Sequence, residues 1–141
     1  MPATAWRYLV PYQPDFQRAL DDLRAEAFRR GAFFQPYTDR GGPPYVPPTT
    51  IDAVHDLVGE QGTHSILDIH RFSLMAGPGL LSLVPDRVRL QLYGSLEPER
   101  DDVDHHKFAL VHHMDEGEAR VLVVWKHGEP HQLYFEGLTG G

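Results

Sequence analysis

"ARVLVVWKHGEPHQLYFEG", residues 119–137, consists of two apolar runs on either side of a short polar stretch. Both runs, "ARVLVVWK" (119–126) and "HQLYFEG" (131–137), are rich in β-branched and aromatic residues, which are typical of strands. The four residues "HGEP" between them suit a hairpin turn. This stretch therefore predicts two neighbouring antiparallel strands at the end of the chain.

A third apolar run, "KFALVHHM" (107–114), precedes this pair and is separated from it by "DEGE", which also suits a turn. The last third of the chain therefore predicts a three-stranded antiparallel meander. In the register set by a turn over 115–118, His112 lies opposite Val121.

Side chains alternate between the two faces of a sheet, so the meander has two different faces. The face predicted to pack against helices carries Ala109, Val111, Leu122, Val124, Leu133 and Phe135. The opposite face carries His106, Phe108, Leu110, His112, Val121, Val123, Trp125, His127 and Tyr134. An apolar floor with imidazoles at its rim is typical of a ligand surface or a protein interface.

Upstream of the meander, periodicity and capping residues predict alternating strands and helices. Asp15 suits the start of the first helix and Gly31 its end. The predicted elements are a strand over 6–12, a helix over 15–30, a helix from Thr49 to Gly62, a strand over 63–72, a short helix in preference to a strand over 85–94, and a solvated acidic loop over 96–104. The proline-rich stretch 35–50 is predicted to be a surface connection.

These elements predict a single α+β domain over residues 1–141. The expected architecture is a sandwich with one largely antiparallel sheet, formed by the C-terminal three-stranded meander plus the N-terminal and central strands. Two or three helices are expected to pack on one face of that sheet. A content of 41% hydrophobic and 11% aromatic residues is that of a globular protein.

Composition excludes several classes of function. A formal net charge of -7 argues against nucleic-acid binding, which requires a concentrated basic face. The chain has no cysteine, which removes thiolate nucleophiles and thiolate metal sites and fits a reducing cytoplasm. No run approaches the roughly 18 apolar residues of a membrane span, and the N-terminus lacks the pattern of a signal peptide.

The predicted strand "THSILDIHRF" (63–72) places His64, Asp68 and His70 on one face. Two imidazoles and a carboxylate on one face could bind a divalent metal such as zinc, or share a proton in acid–base catalysis. Adjacent histidines on a strand point to opposite faces, so only one member of each pair in "HHKFALVHH" (105–113) can join such a site. The predicted metal ligands are His64, His70 and His112; the predicted catalytic residues are His64, Asp68 and His70.

Two functions stay open on these observations. The first is a small cytoplasmic binding or accessory protein, a regulator, partner or immunity-type protein without a cofactor, which acts through a protein partner or self-association. Its predicted binding surface consists of His106, Phe108, His112, Trp125, His127 and Tyr134. The alternative is a metal-dependent or histidine acid–base enzyme, although no His-Glu-x-x-His or Gly-x-Ser-x-Gly pattern occurs.

Gly140–Gly141 at the end of "YFEGLTGG" resembles the diglycine tail of ubiquitin-like modifiers and sulfur carriers. The resemblance covers only these last residues. A β-grasp fold begins with a hairpin leading into its main helix, whereas this chain is predicted to begin with a lone strand. Flexible terminal glycines are the alternative.

Overall fold

The computed structural model describes residues 3–34 and 48–140, and five strands of this part of the chain form one mixed sheet. The strands are β1 (Thr4–Pro11), β2 (Arg71–Phe72), β3 (Leu80–Leu83), β4 (Ala119–Lys126) and β5 (Glu129–Thr139). Their order in the sheet is β1-β5-β4-β3-β2. β5 pairs antiparallel with both β1 and β4, whereas β3 pairs parallel with both β2 and β4. The sheet is therefore mixed: its two long pairings are antiparallel, and its two short pairings are parallel, which was not predicted.

The predicted hairpin of β4 and β5 is confirmed, and both of its strands lie inside the sheet. Lys126 pairs with Glu129, which leaves His127 and Gly128 as a two-residue loop. Both loop residues have positive φ, 53° at His127 and 77° at Gly128. Such loops match the right-handed twist of the strands that they join.

Three helices lie where the sequence predicts them. The structure has α1 (Phe16–Arg30), α2 (Ile51–Val58), α3 (Asp86–Tyr93) and an additional helix, α4 (Arg100–His105). The Asp15 carboxylate accepts a hydrogen bond from the Arg18 N–H at 3.0 Å, and Gly31 ends α1 with a φ of 65°. Thr50, not Thr49, caps α2 by accepting from the Ala53 N–H at 3.1 Å.

Helices cover both faces of the sheet, and not one face as expected. α1 and α2 pack on the face that carries Val121, Leu133 and Phe135. α3, α4 and a 3-10 turn over Ala109–His113 pack on the face that carries Leu122, Val124 and Tyr134. The predicted faces of the meander were therefore wrong, because Leu122 pairs with Tyr134 and Val121 pairs with Phe135.

The predicted strand over 63–72 is almost entirely wrong. Ile66–Asp68 form a 3-10 turn, and only Arg71–Phe72 belong to the sheet. The Ser65 hydroxyl accepts from the Leu67 N–H at 3.2 Å, and Asp68 accepts from the Thr63 N–H at 2.7 Å. These local side-chain hydrogen bonds occupy backbone groups that a strand would offer to its neighbours.

The first strand of the predicted meander and the acidic loop before it are also wrong. A capping box at Glu99 and Asp102 starts α4 within the predicted loop. Residues 109–113 then form the 3-10 turn, preceded by Phe108 at a φ of 61°. β3, which the sequence analysis did not predict, takes the place beside β4 that was assigned to 107–114.

Part of the predicted loop over 35–50 and the last residue of the diglycine tail lie outside the described residues. Within the described part of the chain, no helix is both long and apolar enough to cross a membrane.

Candidate functional site

The predicted binding surface is divided between several parts of the molecule. Tyr134 is fully buried. His106 and Phe108 are exposed, directly after α4. The His106 ring packs edge-to-face with Tyr93, and the two ring centroids are 5.8 Å apart. His112 is exposed on the 3-10 turn. These residues do not form the continuous strand face from which they were predicted.

Two of the predicted surface residues, Trp125 and His127, do lie together. They line a groove of about 320 Å³ at the β4–β5 turn, beside Arg100 and His131. The Trp125 Nε1 atom is buried and has no hydrogen-bond partner among the described residues.

Asp68 ties the segment before β2 to the end of β5. Its Oδ2 atom accepts from the Thr139 hydroxyl at 2.7 Å, while its Oδ1 atom accepts from the Thr63 N–H. Thr139 Oγ1 in turn accepts from the Trp6 Nε1–H at 3.1 Å. Both carboxylate oxygens of Asp68 therefore have structural partners.

His64 has an unusual backbone conformation and a ring that makes an aromatic contact. Its φ is 53°, a left-handed conformation that is uncommon for a residue other than glycine. Its ring packs edge-to-face with Phe34, with ring centroids 5.2 Å apart, and both ring nitrogens are buried without a hydrogen-bond partner among the described residues. His64 is therefore not hydrogen-bonded to Asp68 or His70.

His70 lies against His55 of α2, with ring centroids 5.3 Å apart. Burial of part of the imidazole lowers the pKa of His70, and the nearby His55 and Arg24 lower it further. His70 was among the predicted site residues, whereas Arg24 and His55, which belong to separate helices, were not.

His112 lies on the opposite side of the sheet from the cluster of His70, His55 and Arg24. Its turn packs on the face that carries Leu122, Val124 and Tyr134, which we call the second face. The three predicted metal ligands are therefore not brought together. In the described ranges, no group of three or more His, Asp or Glu side chains is arranged to hold a metal ion.

A buried polar cluster on the second face was not predicted. Glu136 is completely inaccessible to solvent and accepts a hydrogen bond from the Tyr134 hydroxyl. The Arg7 guanidinium lies 5.4 Å from the centre of the Tyr134 ring and donates to Asp104 at 2.9 Å. Burial raises the pKa values of Tyr93, Tyr134 and Glu136. The sequence feature that could have indicated this buried cluster is Glu136, a charged residue inside an apolar strand pattern.

Two large apolar side chains are strongly exposed in the turn after β2. Leu74 is 87% exposed and Met75 is 76% exposed. We call Leu74, Met75 and the half-exposed Leu83 the apolar edge, because the first two closely follow the edge strand β2 and the third lies on the neighbouring strand β3.

A groove of about 330 Å³ adjoins the apolar edge. Phe16, which lines it, contacts Phe72 of β2 with ring centroids 5.4 Å apart. The other lining residues are Leu83, Val84, Pro85, Asp86, Arg89, Val121, Leu122 and Val123. Most of these side chains are apolar, and the two charged ones, Asp86 and Arg89, pair with each other.

No protein-family model, curated protein or solved structure matches this chain. The fold is that of an α+β domain with a mixed sheet. A proposal about function therefore depends on the chemistry of the residues described above.

Proposed function

We propose that this chain is a small cytoplasmic binding or accessory protein that acts by docking its apolar edge on a partner protein. The observation that carries the proposal is the exposure of two consecutive long apolar side chains, Leu74 at 87% and Met75 at 76%. Burying such side chains in an interface is favourable by about 1.5–3 kcal/mol each.

The turn that presents these side chains is held by hydrogen bonds on both sides. The Ser73 N–H donates to the Leu81 carbonyl at 2.8 Å, and the Ser73 hydroxyl accepts from the Met75 N–H at 3.1 Å. The Leu80 N–H donates to the Gly77 carbonyl at 3.1 Å. A turn that is already ordered loses less conformational entropy on binding, which favours a docking role.

The groove beside the apolar edge provides a second, complementary feature. The Val84 N–H donates to the Val121 carbonyl at 3.1 Å, and the Trp125 N–H donates to the Pro98 carbonyl at 2.9 Å. Because backbone groups alternate between the two edges of a strand, the Val123 backbone points to the same side, where β3 has already ended. A partner would therefore meet apolar side chains together with one backbone segment of β4.

Site-specific photo-crosslinking in the cells that naturally produce this protein tests the proposal. A photoreactive phenylalanine analogue at Met75 is expected to give a discrete crosslinked product, whose second component mass spectrometry identifies. The matched control places the analogue at Leu90, which is 51% exposed on a different element, α3. A product containing two copies of the chain indicates self-association, and one containing another protein indicates a separate partner. Equal labelling from both positions, or no product from Met75, contradicts the proposal.

The double variant Leu74→Ser, Met75→Ser is expected to fold as the parent does. With the photoreactive analogue placed at the neighbouring position Ala76, this variant should no longer give the crosslinked product. Exposed side chains contribute little to folding, so the free energy of unfolding should change by no more than about 0.5 kcal/mol. Urea unfolding measures this change. Leu81→Ala, a change at a fully buried position of β3, should instead cost about 2–5 kcal/mol. A large loss of stability in the double serine variant would show that the turn is structural.

A further inference from the structure

We propose that Arg24, His55 and His70 form a binding site for a small oxyanion, either a phosphate or a carboxylate. Arg24 belongs to α1, His55 to α2, and His70 directly precedes β2. The two imidazole centroids are 5.3 Å apart with their planes tilted by 47°. This inference is independent of the proposed partner protein.

Arg24 is a partly buried cation that forms no ion pair with any of the described residues. One of its nitrogens, Nη2, donates to the Leu67 carbonyl at 3.5 Å, while Nε is buried and has no partner among the described residues. Asp21 and Asp52 raise its pKa from a distance, against the larger lowering by burial, and neither forms an ion pair with it. A guanidinium presents its donors in a fork that matches the oxygens of a carboxylate or a phosphate.

The imidazoles supply the other side of the site. His55 Nε2 is buried and has no hydrogen-bond partner among the described residues. Arg24 and the neighbouring imidazole of His55 lower the pKa of His70 more strongly than the carboxylates of Asp68 and Asp52 raise it. The permanent positive charge beside His70 is that of Arg24, which favours a bound anion.

Gly79 fixes one side of the His70 ring. The His70 N–H donates to the Gly79 carbonyl at 2.8 Å. A Cβ atom on Gly79 would lie only 3.0 Å from His70 Cδ2, and the Gly79 φ of +74° favours glycine in any case. Glycine at this position lets the His70 imidazole lie close to the backbone of residue 79.

An anion bound here would favour the protonated form of His70, since an opposite charge stabilises the imidazolium. Binding is therefore expected to be accompanied by proton uptake. This link gives the site a signature that a general ionic-strength effect would not produce.

NMR titration of the histidine ring resonances with sodium phosphate, and separately with sodium acetate, tests the proposal. Sodium chloride holds the ionic strength constant, because salt screens exposed charges. We expect saturable shifts at His55 and His70 with a Kd of about 1–10 mM, and a rise in the pKa of His70 on saturation. Saturation by phosphate alone identifies a phosphate site, and saturation by acetate alone identifies a carboxylate site.

Arg24→Gln is expected to weaken binding at least about tenfold, which corresponds to about 1.4 kcal/mol. Arg18→Gln, an exposed change on the same helix, is the matched control and should bind as the parent does. His55→Gln should also weaken binding and, without any anion, should raise the pKa of His70, because His55 lowers that pKa in the parent. It serves as the test variant if Arg24→Gln does not fold. No saturable shift with either anion, or equal affinity in the parent and a folded Arg24→Gln protein, overturns the proposal.

Discussion

Gly137→Ala is expected to destabilise the protein by about 3 kcal/mol, at the upper end of the usual cost of overpacking a core. A Cβ atom at position 137 would lie 2.0 Å from Cζ2 and 2.2 Å from Cη2 of Trp6. These two residues are directly opposite each other in the β1–β5 pairing, and the indole packs over the glycine. Since the φ of Gly137 is not positive, the cost arises from lost space and not from backbone strain.

The indole has little freedom to move away from an added methyl group. Trp6 is only 7% exposed, and its Nε1–H donates to Thr139, which is linked in turn to Asp68. Displacing the ring would therefore disturb the hydrogen bonds that join β1, β5 and the segment before β2. Buried donors left without partners cost about 1–3 kcal/mol each.

Urea unfolding of four proteins checks this expectation: the parent, Gly137→Ala, Trp6→Leu and the double variant. Because Trp6 is the obstacle, Gly137→Ala should cost markedly less in the Trp6→Leu background. Gly77→Ala is the matched control, since its Cβ would meet only the end of the Leu80 side chain at 3.2 Å. An equal cost of Gly137→Ala in both backgrounds would contradict the explanation.

Glu136→Gln is expected to change how the stability of the protein depends on pH. Burial raises the pKa of Glu136, and this effect exceeds the lowering by the Tyr134 hydroxyl and by the backbone amides of Val111, Leu110 and Phe108. The folded protein therefore keeps the proton at a pH where the unfolded chain, with a glutamate pKa of about 4.3, has lost it. Raising the pH through this interval favours the unfolded chain.

The parent should consequently lose stability relative to Glu136→Gln as the pH rises above about 4.3, by up to about 1.4 kcal/mol per pH unit. The relative loss ends once the pH exceeds the pKa of Glu136 in the folded state. Urea unfolding of both proteins at several pH values between about 4.5 and 8 measures the difference. Glu129→Gln, at an exposed position near the β4–β5 turn, is the control and should run parallel to the parent. A difference between parent and Glu136→Gln that does not vary with pH would refute this account of the buried carboxyl.

The 3-10 turn over Ala109–His113 lies beside the buried carboxyl group of Glu136. Its first amides lie near the Glu136 carboxyl, and the residue before the turn, Phe108, has a φ of 61°. A bulky residue keeps such a conformation only when its surroundings enforce it. We infer that Glu136 and the buried Leu110 together hold this segment against the sheet.

Elements whose signals are local could be predicted from the sequence. α1 has its cap at Asp15, its stop at Gly31 and a helical apolar period between them. The β4–β5 hairpin has two strand-forming runs joined by a loop at His127–Gly128. In each case, the residues that determine the structure lie within about a dozen positions of one another, where capping and turn chemistry act.

Segments 63–72 and 107–114 could not be predicted in the same way, because their apolar alternation also fits a strand. The first segment is fixed by hydrogen bonds that Ser65 and Asp68 accept, and one of the donors is Thr139, at the other end of the chain. The buried Glu136 on β5 contributes to the second. Both outcomes depend on contacts between distant parts of the sequence, which no local pattern contains.

The sequence by itself determined the α+β class, three of the helices, the outer strand β1 and the central hairpin, because propensity, capping and turn geometry are local properties. Only the tertiary structure decided which side chains meet. It places His70 with Arg24 and His55 instead of His64 and His112, and it buries Tyr134 while leaving Leu74 and Met75 exposed. The physical reason is that burial and proximity depend on strand order and on which face each helix covers, and these are set by packing of the whole chain.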